Sequence, residues 1–190
     1  MTSALVIMDL QNGILERYGD RGREVVATAA TALDAARRAG VPVIFVRVAF
    51  REGAPEISPR NAGFARLAGS MSMDESAPAT RVHEGVAPRP GEIVVTKRRV
   101  SAFAGSDLDV VLRSRSIDHL VLCGIATSGV VLSTVRRAAD EDYAITVLAD
   151  ACADLDEEVH RVLTEKVFPR QAEVLTTAQW IERRGALDAP

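Results

Sequence analysis

The stretch Ala4-Leu5-Val6-Ile7-Met8-Asp9-Leu10-Gln11 decides how the chain is read. Five apolar residues run without a polar break, and a carboxylate ends them. A strand with one face in water alternates apolar and polar residues, whereas an unbroken run marks a strand covered on both faces. The same form recurs at 41–48, 93–95, 120–122 and 145–148. Between the runs lie segments with helical spacing. Residues 23–39 are Ala-rich, with arginines to one side, and stop at Gly40-Val41-Pro42. Residues 108–115 follow Ser106 and Asp107 as capping candidates, and 130–142 come next. Residues 156–168 open on Asp156-Glu157-Glu158, suited to the positive end of a helix. Strand and helix in alternation predict an α/β fold in three layers, with a mostly parallel sheet.

A length of 190 residues suits one domain spanning 1–190. Residues 51–91 break the rhythm. They hold Pro55, Pro59, Pro78, Pro88 and Pro90, with one short helix expected at 62–67. A Pro-rich loop excursion of that length within a domain is usually functional, as a lid or as an interface.

Composition excludes several classes. The charge balance of 23 cationic against 26 acidic residues, net −3, gives no electrostatic footprint for nucleic acid. Aromatics are 4% of the chain, too sparse for stacking platforms. Two cysteines, Cys123 and Cys152, fit a reducing, cytoplasmic setting better than a disulfide framework. The N-terminus meets Asp9 too early for a signal-peptide core. No apolar run approaches the roughly 18 residues of a membrane span. His83, His119 and His160 stand singly, so no metal site is expected.

Parallel sheets bind ligands beyond the carboxyl ends of their strands. The first run ends at Asp9, the third at Lys97, and the fourth in Gly124-Ile125-Ala126-Thr127-Ser128-Gly129. Brought together, Asp9 and Lys97 would satisfy each other's charge, as a catalytic pair or as a structural ion pair. Of the 23 cations only Lys97 and Lys166 are lysines. Arg cannot give up its proton and has a planar fork, so a Lys kept at the end of a buried strand points to a need for its size or its proton. Lys166, late in a helix, reads as a solvated charge.

These features together resemble the isochorismatase-like hydrolase superfamily. The resemblance rests on Asp9-Leu10-Gln11, on Pro90-Gly91-Glu92 through Lys97 to Ser101-Ala102-Phe103, on Gly124-Ile125-Ala126-Thr127, and on Asp150-Ala151-Cys152. It implies a Rossmann-like fold with a six-stranded sheet, a small-molecule substrate, no cofactor and a homo-oligomer. It also implies a catalytic Asp and Lys at Asp9 and Lys97, and a cis peptide between Ile125 and Ala126 in a loop, continuing to Thr127, that aims backbone amides at an oxyanion. Gln11, Phe50 and Phe103 are candidate substrate-binding residues. Phe50 and Phe103, with Arg47, read equally as pocket wall or as packing and surface pairing. The metal motif of the family's nicotinamidases is missing from residues 46–51.

The family's amide-cleaving members carry a Cys three residues after the Thr of Gly-x-Ala-Thr, and that position here is Val130. Valine has no lone pair with which to attack, so a thioester cannot form there. Three readings stay open. A hydrolase could work without a thiol, as the family's isochorismatases do on a vinyl ether, with Asp9 as general acid. An amide hydrolase could use another nucleophile, such as Ser128 or Cys123. A catalytically inactive member could bind a small carboxylate or a protein partner. Cys123 and Cys152 read more readily as core, and Ser128 as a helix cap.

Overall fold

The computed structural model describes residues 1–187. Its strands are β1 (Ser3–Met8), β2 (Val43–Val48), β3 (Ile93–Lys97), β4 (His119–Ile125), β5 (Ala144–Ala153) and β6 (Glu173–Leu175). They form one sheet in the order β3-β2-β1-β4-β5-β6. Every pairing is parallel, including that of β6 at the edge. The helices are α1 (Asn12–Leu15), α2 (Gly19–Arg38), α3 (Ala62–Ser70), α4 (Leu108–Ser114), α5 (Leu132–Asp140), α6 (Glu157–Val162) and α7 (Thr177–Leu187).

The unbroken apolar runs became the central strands. Ala4 to Met8 are all buried, which requires cover on both faces of β1. Each such Val, Leu or Ile contributes about 1.5–3 kcal/mol on burial. On α2 the buried residues Val25, Val26, Ala29, Ala32, Leu33 and Ala36 recur at helical spacing, and the helix packs on β5 and α7.

Several boundaries differ from the sequence reading. β5 continues through Asp150 to Ala153, because the polar residue sits in a strand still paired with β4 through Cys152 and Ala153. β6 is too short to show as an apolar run. Ahead of α5 the chain makes a π-helical turn, Thr127–Val131, kinked at Gly129, so the helical segment begins before Val130. No side chain caps that turn; Ser128 uses its backbone N–H elsewhere. At α4 the capping oxygen is that of Ser106, which accepts from Leu108 N–H at 3.3 Å, while the Asp107 side chain makes no capping bond.

The 51–91 excursion packs back on the sheet. Phe64 and Met73 join Val48 and Phe50 in a small second core, and the rings of Phe50 and Phe64 meet edge to face at 5.4 Å. Its helix runs farther than the sequence suggests, over Ala62–Ser70, with Asn61 accepting from Phe64 N–H at its start.

Candidate functional site

In this strand order the chain leaves β1 for β2 and β3 on one side, then returns to β4 on the other. The crevice beyond β1 and β4 is therefore the topological switch point, where open α/β sheets bind ligands. Asp9 follows β1 directly, in a left-handed turn at φ 55°, a conformation Asp tolerates better than most residues. Its N–H still donates to Val46 O at 2.9 Å, which holds the turn against β2.

Lys97 ends β3, two strands from β1. Its side chain spans the end of β2, and its Nζ lies 2.9 Å from Asp9 Oδ2 and donates to Arg99 O at 2.9 Å. Lys97 is 1% exposed and Asp9 5%. Asp9 Oδ1 has no hydrogen-bond partner. Burial pushes the Asp9 carboxyl above its usual range, and the Lys97 ammonium opposes that rise without cancelling it. A carboxyl that holds its proton more tightly, one oxygen engaged and the other free, has the character of a general acid.

β4 approaches β1 very closely. At Gly124, φ is +137° and a Cβ would lie 1.9 Å from Met8 O, so only glycine fits. The Ile125–Ala126 peptide that follows is cis. Thr127 is buried, and its hydroxyl is 2.8 Å from His160 Nδ1. Ser128 N–H donates to Asp154 Oδ2 at 2.7 Å.

Together these strand ends wall a cavity of about 230 Å³. Its polar lining is Asp9, Lys97, Arg17, Tyr18 and Asn61. Most of the rest is apolar: Ile14, Val48, Phe64, Leu67, Val100, Ile125, Ala126 and Val130. Asp9, Lys97, Ile125, Ala126 and Val130 thus converge on one space. Thr127 stands behind that wall with its hydroxyl on His160.

Gln11, Phe50 and Phe103 do not line the cavity. Gln11 is buried, its amide donating to Val48 O at 2.9 Å and Thr80 O at 2.8 Å while its Oε1 accepts from Val48 N–H at 2.8 Å. It ties β2 and the excursion to the end of β1, and both of its N–H donors are engaged. Phe50 is buried behind Phe64, which takes the wall position instead. Phe103 packs on Tyr143 at 6.0 Å. Arg47 donates to Thr96 Oγ1 and Glu75 O, away from the cavity. Cys123 and Cys152 are buried and off the cavity wall. Burial pushes the Cys152 thiol up to about 12 and the Cys123 thiol well above its usual value. Both stay protonated, the opposite of an activated nucleophile.

The wall residues that sequence reasoning missed are Ile14, Arg17 and Tyr18 after β1, Val48 at the end of β2, Asn61, Gly63, Phe64 and Leu67 from the excursion, and Val100 after β3. Apart from Val48 they lie in connecting segments, which strand periodicity does not mark. His160 and Asp154 were passed over because their partners lie 33 and 26 positions away.

The Isochorismatase domain family model matches residues 3–179. An uncharacterised isochorismatase family protein of Bacillus subtilis (strain 168), YwoC, is 38% identical over 184 residues, covering 95% of this chain and 93% of that one. The ureidoacrylate amidohydrolase RutB of Stutzerimonas stutzeri (strain A1501) is 35% identical over 171 residues, covering 78% and 68% of the two chains. Among solved structures, a cysteine hydrolase from Pseudomonas syringae pv. phaseolicola 1448A superposes with a TM-score of 0.89 at 26% identity, covering 97% of this chain and 93% of that one. With the switch-point cavity walled by Asp9, Lys97 and the Ile125–Ala126 loop, these matches establish that the chain belongs to the isochorismatase family of hydrolases.

Proposed function

We propose that the protein hydrolyses a small molecule in the switch-point cavity without a covalent thiol intermediate, Asp9 serving as general acid. The observation that carries this reading is the buried Asp9–Lys97 pair on the cavity wall, with Asp9 Oδ1 unpartnered and the carboxyl's proton affinity raised. Val130 stands on the same wall, where the family's amide-cleaving members place their Cys, and offers no electron pair.

A vinyl ether suits such a site. Asp9 gives its proton to the terminal carbon of the enol ether, leaving an oxocarbenium ion and the Asp9 carboxylate. Water adds to that cation and returns a proton to Asp9. The hemiketal then collapses to an alcohol and a carbonyl compound, so one water is consumed and the enzyme is regenerated. Lys97 holds the carboxyl in place and stabilises its anionic form midway through the cycle. A general acid of this kind contributes typically 10²–10⁴-fold.

The test is steady-state turnover of 2-alkoxyacrylates, enol ethers that carry a single carboxylate, and of a panel of small amides. Turnover of the vinyl ether, reduced about 10²–10⁴-fold in Asp9→Asn, is expected. Turnover that survives Asp9→Asn overturns the general-acid role. Amide turnover abolished by a thiol reagent would show that a cysteine is the nucleophile after all.

A further inference from the structure

The cavity lining carries three charged side chains, and only two of them are paired. Asp9 and Lys97 satisfy each other at 2.9 Å, and Lys97 is further tied to Arg99 O. Arg17 is left over. It follows α1 in a short helical turn, Glu16–Tyr18, at the exposed rim of the cavity, and among the described residues its side chain makes no hydrogen bond or ion pair. Its neighbour Tyr18 also lines the cavity, with a hydroxyl for which no hydrogen bond is found. Burial, reinforced by the Asp154 carboxylate, pushes that phenol up to about 12, so it stays a donor. The cavity therefore carries excess positive charge whether Asp9 is protonated or not.

We propose that the substrate is a small, otherwise apolar monocarboxylate, its carboxylate held by the Arg17 guanidinium and the Tyr18 hydroxyl and its reacting end on Asp9. The guanidinium's planar fork matches a carboxylate in two parallel hydrogen bonds, which a lysine could not reproduce. The aliphatic and aromatic wall formed by Ile14, Val48, Phe64, Leu67 and Val100 accommodates the uncharged body. A volume of about 230 Å³ lies below the roughly 300–1,000 Å³ of drug-sized sites, which restricts the substrate to a compact acid. A second carboxylate would find no second unpaired cation on the wall. The assignment of the reacting end rests on the general-acid reading above; the anion site does not.

The test is equilibrium binding, which needs no turnover. Benzoate, crotonate and cyclohexanecarboxylate are titrated into the unaltered protein, Arg17→Gln, Tyr18→Phe and Asp9→Asn, with acetophenone as the neutral isostere of benzoate and inorganic phosphate as a second anion. At least one acid binds the unaltered protein, its Kd rises tenfold or more in Arg17→Gln and severalfold in Tyr18→Phe, and acetophenone affinity is the same in Arg17→Gln as in the unaltered protein. Unchanged acid affinity in Arg17→Gln overturns the proposal. So does acetophenone or phosphate binding the unaltered protein as tightly as the best acid, or failure of all three acids to bind. Asp9→Asn separates the two claims. Acid binding that depends on Arg17, together with hydrolysis that survives Asp9→Asn, leaves the anion site standing and removes the general acid.

Discussion

Thr127 and His160 share a hydrogen bond of 2.8 Å between the threonine hydroxyl and imidazole Nδ1, linking the loop beyond β4 to α6. One residue on, Asp154 Oδ2 accepts the N–H of Ser128 at 2.7 Å. The loop whose Ala126, Gly129 and Val130 face the cavity is thus gripped from behind by two side chains that do not line it.

That grip is pH-dependent. Burial lowers the His160 pKa below 6.5; Arg21 lowers it further, while Asp154 and Glu157 act the other way. A lowered folded-state value means that the unfolded chain binds the proton first. The stabilisation is present above about pH 6.5 and is lost as pH falls through the folded value. The thermal midpoint is expected to drop on acidification below that point, and His160→Gln should flatten part of the drop. Identical pH slopes in the two proteins would refute it. His119, hydrogen-bonded to Ser3 and Thr146 and also lowered by burial, accounts for a separate part.

Removing Gln11 should damage the fold rather than binding. Gln11→Leu leaves Val48 N–H and Thr80 O without their side-chain partner. A loss of about 2–4 kcal/mol in urea denaturation is expected. The Kd for a small carboxylate should stay within twofold of the unaltered protein under conditions where the variant is folded. A large change in affinity with little loss of stability would return Gln11 to the substrate-binding set.

Gly124→Ala places a methyl against the backbone of Met8, and neither strand has freedom to retreat. Stability should fall by more than about 4 kcal/mol, with soluble expression lost or nearly so. An Ala variant with an unaltered melting curve would mean that β1 and β4 separate more easily than their register suggests.

Lys97→Met tests the electrostatics of the pair. The ammonium at present holds the Asp9 carboxyl down against burial, so its removal should raise the Asp9 pKa further. Carboxyl carbon NMR reads this directly. Because the folded value already exceeds 3.8, stability is fullest below that pH and is lost as pH rises through the folded value. The variant should show a steeper loss, approaching about 3–5 kcal/mol where Asp9 is forced to ionise alone. A lowered or unmoved Asp9 pKa would contradict the pairing.

Much of the framework was legible because it is written in local pattern. Continuous apolar runs announced buried parallel strands, and Asp9 and Lys97 marked two of their ends. Phe50 stayed open between wall and packing for a physical reason: apolar side chains at a strand end look alike in sequence whether they line a cavity or back the residue that does. Phe64, in a Pro-rich segment without strand periodicity, took the wall position that Phe50 seemed to offer. The bonds of Gln11 to Val48 and Thr80 were not legible, because an amide next to a catalytic-looking carboxylate gives no sign of how many backbone groups will claim it.

The sequence by itself determined the class of fold and the superfamily, since both depend on residue type and short-range spacing. Only the tertiary structure decided that Lys97 crosses the end of β2 to reach Asp9, that His160 holds Thr127, and that Arg17 faces the cavity with its charge unpaired. These contacts are set by strand order and by the path of the chain between strands. Burial then gives the Asp9–Lys97 pair and the Thr127–His160 bond their energetic weight, because charges and hydrogen bonds removed from water count for far more than the same groups in solvent.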